Sequence, residues 1–289
     1  MVQVVGCDFS SSPCKRKPIV FAIGSASNGR LTLSKLERLE SLDGFSAWLT
    51  RNTDWVGVFD LPFGLPRELV EQLGWPDTWQ ACIEHYASLP RDEIRRLFKT
   101  FCDARPVGGK FAHRATDRPA GSSPSMKWVN PPVAYMLHAG TPRLLAAGVH
   151  LPGLHDGDPL DLTIDATGAK VPKRVALEGY PGLLAREVLD KQGKRSYKSD
   201  DQAKQTPERL IARKDLVTAL ELGQTRLKLR LKLSHAQRDA LVDDASGDSL
   251  DAVLCMLQAA WAQQQHALGA STYGLPSGFD PLEGWIVTA

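Results

Sequence analysis

The sequence predicts an α/β protein in which a mixed β-sheet is flanked by helices and interrupted by a mainly helical insertion. Five short apolar segments have strand character, and helical segments follow the third, fourth and fifth of them. The region from residue 64 to residue 170 has helical spacing, and three of the predicted strands end on an acidic residue. A chain of 289 residues that is 43% hydrophobic and 24% charged has the composition of a globular protein with a substantial core.

The first part of the chain predicts three strands, a helix and a fourth strand. The first three strands are residues 2–9, 18–26 and 29–39. They are separated by turn residues and predict a meander. GFSAWLTRN is amphipathic and follows Asp43, a typical helix-capping residue. WVGVF is apolar throughout, as expected of a strand buried on both faces, and it ends at Asp60 and Pro62.

Residues 64–170 predict a helical insertion with a long loop. RELVEQLGW, TWQACIEHYASL, RDEIRRLFKTFCDA and VAYMLHAGTPRLLAAGV have helical spacing. A Gly-, Pro- and Ser-rich loop lies before the last of them, and a loop of that length is usually functional or mobile. The insertion divides a core made of residues 1–63 and 171–289, in which a C-terminal extension packs back through EGWIVTA.

After the insertion, the chain predicts one more buried strand and a long final helix. KRVALEGYPG has strand character and ends on Glu178. TPERLIARKDLVTAL predicts a helix with Thr206 as its cap and Pro207 at its first position. TRLKLRLKL alternates and predicts an exposed strand. SGDSLDAVLCMLQAAWAQQQ predicts an amphipathic helix that carries Asp248 and Asp251 in its first turn.

Charge and cysteine content restrict the classes of protein. From Arg186 to Arg238 there are fourteen Lys and Arg against seven acids, and from Asp239 onward seven acids and no Lys or Arg. This pattern is typical of a phosphate-binding surface beside a metal site, although two solvated helix faces produce it as well.

The five scattered cysteines favour reduced thiols and a cytoplasmic protein. No secretory signal is expected, and no apolar run approaches the ~20 residues of a membrane helix.

Acidic side chains end three of the predicted buried strands, at Asp8, Asp60 and Glu178. An ionised carboxylate in such a place is costly unless it is paired or binds a metal. Ligands of open α/β sheets bind beyond the carboxyl ends of the strands, so these acids can face one crevice. Asp248 and Asp251 share one helix face and add oxygen donors. Taken singly, the strand-end aspartates also suit turns, and Asp248 suits a helix N-cap.

An all-oxygen donor set predicts Mg²⁺ or Mn²⁺ rather than zinc. Two such ions about 3.5–4 Å apart can clamp the attacking water and the leaving oxygen of a phosphodiester. The predicted order of three strands, a helix, a strand, a helical region, a strand and a final helix is that of the RNase H-like fold. In that fold the acids lie on the first strand, the fourth strand and the last helix.

Five motifs also resemble the family described as predicted RNase H-like nucleases (domain-of-unknown-function family 429). They are VGCDFSSSP, VFDLPFGLP, ALEGYPG, YKSDDQAKQ and DSLDAVLCMLQAAWA, and the resemblance runs across most of the chain. It implies that Asp8, Asp60, Glu178 and Asp251 occupy the metal-binding positions, with Asp248 as an accessory. We therefore expect a nuclease that hydrolyses phosphodiester bonds of DNA or RNA with two ions of Mg²⁺ or Mn²⁺.

Each acid has an expected role in that reaction. Asp8 would bridge the two ions, Asp60 and Glu178 would each complete one ion's shell, and Asp251 would hold the ion that activates water. Residues expected to contact the nucleic acid are Lys110, Arg114, Arg118 and Lys198. Trp128 could stack a base, and His113 is a candidate proton donor. A solvated loop without such contacts is the alternative for all the loop residues.

Two other functional classes stay open. An ATP-dependent phosphotransferase of the actin-like or sugar-kinase-like type uses a related fold, but it needs Gly-rich phosphate turns. The segment DFSSSPCKRK after the first strand contains no glycine. A non-catalytic nucleic-acid-binding module would bind in a salt-sensitive manner that does not depend on divalent cations.

Overall fold

A six-stranded mixed β-sheet forms the centre of the structure, a computed structural model that describes residues 2–51, 54–165, 168–190 and 195–289. The strands are β1 (Gln3–Asp8), β2 (Ile19–Ser27), β3 (Arg30–Leu39), β4 (Trp55–Asp60), β5 (Leu162–Ile164), β6 (Lys170–Pro172), β7 (Arg174–Glu178) and β8 (Arg230–Lys232). Their order in the sheet is β7-β4-β1-β2-β3-β8, and β5 pairs with β6 in a separate hairpin.

Helices flank this sheet, as the sequence predicts. In the described ranges they are α1 (Leu42–Arg51), α2 (Arg67–Leu73), α3 (Trp79–Ser88), α4 (Arg91–Asp103), α5 (Asp117–Ala120), α6 (Val133–Ala146), α7 (Pro181–Leu189), α8 (Pro207–Leu222), α9 (His235–Asp243) and α10 (Asp248–Ala267). The α/β class with a mixed sheet is thereby confirmed.

The connections make the sheet part antiparallel and part parallel. β1, β2 and β3 form an antiparallel meander, which confirms that prediction. β4 pairs parallel to β1, and β7 pairs parallel to β4. Parallel neighbours end at the same edge of a sheet, so Asp8, Asp60 and Glu178 all arrive there.

Successive side chains of the central strands point to opposite faces, and each face has its own core. Val4 of β1 packs in the core that α7, α8 and α10 cover. Val5 packs on the other face, in a core shared by α1 and the helices that follow β4. Because both faces are covered, the inner strands are apolar runs and not alternating ones, which is why they can be recognised in the sequence.

The residues between 64 and 170 supply four of the helices that the sequence predicts, namely α2, α3, α4 and α6. They bury their apolar faces in the same core as α1. The short α5 interrupts the long predicted loop, and the hairpin of β5 and β6 is an element that the sequence did not predict. Among later elements, α7 and α9 were not predicted either.

Three local predictions need correction or refinement. Asp43 lies inside the first turn of α1 and does not precede the helix. Thr206 does precede α8, but its side chain makes no capping hydrogen bond. Only Arg230–Lys232 of TRLKLRLKL forms a strand, at the edge of the sheet beside β3. Its alternation is nevertheless real, because the leucines are buried and the basic residues are exposed.

The cysteines and the helices agree with the composition. All five cysteines are free thiols, and Cys14 is the exposed one. No helix in the described part of the chain combines the length and the apolar character needed to cross a membrane.

α10 lies in close contact with β1 at Gly6. A Cβ atom placed on Gly6 would lie 1.9 Å from the carbonyl oxygen of Ala252 and 2.2 Å from the amide nitrogen of Met256. Both atoms belong to the helix backbone, which cannot move aside as a flexible side chain would. Glycine at this position therefore lets α10 lie directly on β1.

We expect Gly6→Ala to lower the free energy of unfolding by roughly 3 kcal/mol, because the added methyl group forces the helix away from the strand. Urea denaturation followed by circular dichroism measures the change. The matched control is Gly109→Ala, where the nearest heavy atoms lie 3.9 Å from the new Cβ. Equal stability of the two variants would contradict the close contact.

Candidate functional site

Three carboxylates meet where β1, β4 and α10 come together. Asp8 and Asp60 are direct partners in the parallel register of β1 and β4. Asp251 comes from the first turn of α10, which lies on β1. One carboxylate oxygen from each residue lies within 4.8 Å of the other two. The structure thus brings together three of the four acids that the sequence predicts as catalytic.

Burial and mutual repulsion perturb all three acids. Removal from water raises the pKa of Asp8 well above its usual value, and the nearby charges of Asp251 and Asp248 raise it further. Burial, with repulsion from Asp251, raises the pKa of Asp60 to about 7. Burial also raises the pKa of Asp251, although Lys198 opposes this change. Such a group of acids has a strong electrostatic preference for a cation.

The three acids differ in their partners. Asp251 accepts a hydrogen bond from the Tyr197 hydroxyl and forms an ion pair with Lys198. No residue in the described ranges forms an ion pair with, or donates a hydrogen bond to, the carboxylate of Asp8 or Asp60. Those two side chains offer their oxygens to the site. Lys198, which the sequence predicts as a phosphate contact, keeps 43% of its side chain exposed while it pairs with Asp251.

Asp248 has a different partner, although it shares the helix turn with Asp251. Lys17, just before β2, donates to Asp248 at 2.7 Å and to Asp200 at 2.9 Å. Burial opposes the charge of Lys17, but these two carboxylates raise its pKa overall. Asp248 therefore stands beside the three-acid group as the partner of a lysine, and its accessory metal role stays a prediction.

Glu178, the fourth predicted acid, is held by Arg114. The two Nη atoms of Arg114 donate to the two carboxylate oxygens of Glu178 at 2.6 and 2.8 Å. The Phe63 amide adds a hydrogen bond of 2.9 Å. Burial raises the pKa of Glu178, and Arg114 counteracts that effect. The structure does not place Glu178 in the three-acid group, because this bidentate pair already satisfies its charge.

Arg114 is buried rather than presented on a solvated loop. Its exposed fraction is 2%, and it also pairs with Asp117 at 2.9 Å and donates to the Glu283 carbonyl at 3.0 Å. A guanidinium that is so fully engaged holds the loop before α5 and the C-terminal segment against β7. The prediction that Arg114 grips a substrate backbone on the surface is therefore at odds with its position.

The other predicted loop contacts lie nearer to solvent. Lys110, His113 and Arg118 are exposed, and their roles stay predictions. Trp128 is partly buried and packs against Phe111 at a ring-centroid distance of 5.5 Å. Tyr197 and Lys17, which contact Asp251 and Asp248, are not among the site residues that the sequence predicts. The basic run CKRK was the one signal that could have drawn attention to Lys17.

A cavity of about 490 Å³ opens above the acids. Its acidic side includes Asp8, Asp60 and Glu178, and the ends of Lys17 and Lys198 reach the same space. The opposite wall is apolar and comes from the start of α6 and the residues before it. That wall consists of Pro131, Pro132, Val133 and Met136. The cavity combines a polar floor for charged groups with an apolar wall, a composition typical of ligand sites.

No family model, curated protein or solved structure matches the chain. The resemblance to predicted RNase H-like nucleases therefore stays a prediction.

The raised pKa of Asp60 predicts how stability depends on pH. Because the pKa rises from 3.8 to about 7 on folding, the folded state holds a proton that the unfolded chain has lost. The free energy of unfolding therefore falls as the pH rises through this interval, by about 1.4 kcal/mol for each unit of pKa difference. Asp60→Asn removes this contribution, so the variant should gain stability relative to the natural chain between pH 5 and pH 8.

Urea denaturation with a chelator present, at several pH values between 5 and 8, measures this difference. Asp239→Asn, at an exposed position of α9, is the matched control. If the free energy of unfolding of Asp60→Asn changed with pH in the same way as that of the natural chain, the pKa of Asp60 would not be raised on folding.

Arg114→Met should lower the free energy of unfolding by about 3–5 kcal/mol, because it leaves Glu178 buried without a counter-charge. The double variant Arg114→Met with Glu178→Gln should recover part of that loss. Denaturant unfolding of the single and double variants measures the coupling. Additive effects of the two substitutions would contradict a direct ion pair.

Proposed function

We propose that the protein is a divalent-cation-dependent hydrolase of phosphodiester bonds in nucleic acid. The observation that carries this proposal is the group formed by the buried carboxylates of Asp8 and Asp251 and the half-buried carboxylate of Asp60, which each place an oxygen within 4.8 Å of the others. Burying several carboxylates together is costly unless a cation compensates their charge. Two of the three have no partner among the described residues, so their oxygens are free to bind one.

The donor set fits Mg²⁺ or Mn²⁺. Carboxylate oxygens are the ligands that these ions prefer, and no cysteine or histidine belongs to the group. Asp8, Asp60 and Asp251 would hold the ions. Divalent cations in such a site activate a water molecule and stabilise the charge that develops on a phosphate.

The remaining polar residues of the cavity have roles that follow from their contacts. Tyr197 and Lys198 orient the carboxylate of Asp251. Lys17 and Lys198 reach the cavity and offset part of the negative charge of the acids there, so that bound cations need to compensate only the remainder. Glu178 and Arg114 form the rigid side of the floor, because both are almost fully buried and bonded to each other.

An RNase H-like fold is part of the proposal. Its support is the sheet order β7-β4-β1-β2-β3, with an antiparallel meander followed by two parallel strands. The acids lie at the ends of β1 and β4 and in the first turn of the last helix, as the motif-based resemblance implies. Fold likeness alone does not establish an activity, so the chemistry of the site carries the proposal.

We expect Mg²⁺- or Mn²⁺-dependent cleavage of nucleic acid, and a loss of at least ~10²-fold in rate for Asp8→Asn or Asp60→Asn, because each removes an oxygen that binds the ions. Fluorescently labelled single-stranded, duplex and hybrid DNA and RNA are the substrates. Gel analysis of the products with each cation, and with a chelator, measures the rate.

Asp239→Asn again serves as the control and should cleave like the natural chain. Cleavage that is unaffected by the chelator, or equal cleavage by Asp60→Asn, would refute the carboxylate mechanism. Absence of cleavage together with cation-dependent hydrolysis of ATP would favour the phosphotransferase alternative instead.

A further inference from the structure

A second concavity, which we call the arginine groove, lies beside the cavity that holds the acids. It has a volume of about 450 Å³. It lies between the turn after α5 and the outer face of α7, and its lining residues include Arg118, Gly121, Leu183, Arg186 and Arg226. The groove is open at the surface, so an extended ligand can enter it from the cavity.

Two arginines of the groove retain unneutralised charge. Arg186 donates to the hydroxyl of Tyr180 at 3.0 Å and to the carbonyl of Ala120, which are both neutral oxygens. Arg118 is exposed, and no carboxylate among the described residues pairs with it. Groups of this kind can bind a phosphate without first breaking an ion pair.

Of the other charges of the groove, those of Arg226 and Glu187 offset each other, and Asp190 adds one negative charge. Arg226 pairs with Glu187 at 3.4 Å. Glu187 and Asp190 are the acidic residues of the lining. The positive charge available to a ligand is therefore concentrated at Arg118 and Arg186, which suits one phosphate group better than a long run of them.

Tyr180 connects the groove to the cavity. Its ring lines the cavity, and the guanidinium of Arg186 lies over that ring, 5.1 Å from its centroid. The turn after α5 makes a second connection, because Gly121 lines the groove and its neighbour Ser122 lines the cavity. A chain with a phosphate near Asp8 and Asp60 can thus continue past Tyr180 to the arginines.

The size of the cavity restricts what can reach the acids. Its volume of about 490 Å³ is within the range of sites that hold one small organic group. A single nucleotide of an unpaired strand fits, with its base against the apolar wall of Pro132, Val133 and Met136. A paired strand would have to be opened first.

We propose that the protein acts on single-stranded nucleic acid, with one nucleotide in the cavity and the neighbouring phosphate bound by Arg118 and Arg186. This inference rests on the proposed function, because it places the scissile phosphate at the three carboxylates. It adds a strand-selective binding site that the acids alone do not imply.

Binding measured apart from cleavage tests the inference. Fluorescence anisotropy is recorded in Ca²⁺, an oxygen-binding dication used to occupy the carboxylates, with a short labelled single strand of DNA, the same strand as RNA, and the corresponding duplexes, and gel analysis checks that the strands stay intact. The full chain should bind each single strand at least ~10-fold more tightly than its duplex, and the DNA and RNA arms show whether the sugar matters.

The double variant Arg118→Gln with Arg186→Gln should weaken single-strand binding roughly 10-fold, because hydrogen bonds to a charged group are lost. The slope of log affinity against log salt should fall by about 0.7, the value for one phosphate contact of a single strand. Arg51→Gln is the control. Arg51 is an exposed arginine at the end of α1, and it precedes the start of β4, whereas Asp60 lies at the end of that strand.

Several outcomes would overturn the inference. Duplex binding as tight as single-strand binding would do so, as would equal affinities of the double variant and Arg51→Gln. Either result leaves metal-dependent cleavage to be judged by its own assay. Strand-selective binding through the two arginines without any cleavage would instead support this site and refute the proposed hydrolase.

Discussion

The direct contact between the backbones of α10 and β1 determines where the candidate site lies. Gly6 allows the helix to approach so closely that no side-chain atom fits between the two elements. The first turn of α10 is then held beside the end of β1, and Asp251 reaches Asp8 and Asp60. The parallel register of β1 and β4 supplies the other two carboxylates at the same height.

The charges around these acids come from distant parts of the chain. Lys17 precedes β2, Lys198 lies between α7 and α8, and Arg114 belongs to the segment between α4 and α5. Each of these cations balances the charge of a buried carboxylate, which would be energetically costly without a partner. Among the described residues, Asp8 and Asp60 have no ion-pair partner and Asp251 is paired with Lys198, so the three-acid group contains two carboxylates available for binding and one that a lysine already contacts.

Hydrogen bonds join the loop before α5 to the C-terminal segment. Arg114 donates to the carbonyl of Glu283, the Ala115 amide donates to its carboxylate at 2.8 Å, and the Ile286 amide donates to the Thr116 hydroxyl at 3.0 Å. These bonds tie the loop before α5 to the end of the chain. Two of the residues that make these bonds, Arg114 and Ile286, also line the cavity.

The sequence by itself determined the α/β class, most of the helices and central strands, and the arrival of acids at the ends of β1, β4 and β7. These features follow from apolar periodicity, which is local. Only the tertiary structure decided that Glu178 pairs with Arg114 and Asp248 with Lys17, residues separated by 64 and 231 positions. Such pairings depend on how distant segments pack, so no local pattern could distinguish the acids that have a cation from those that do not.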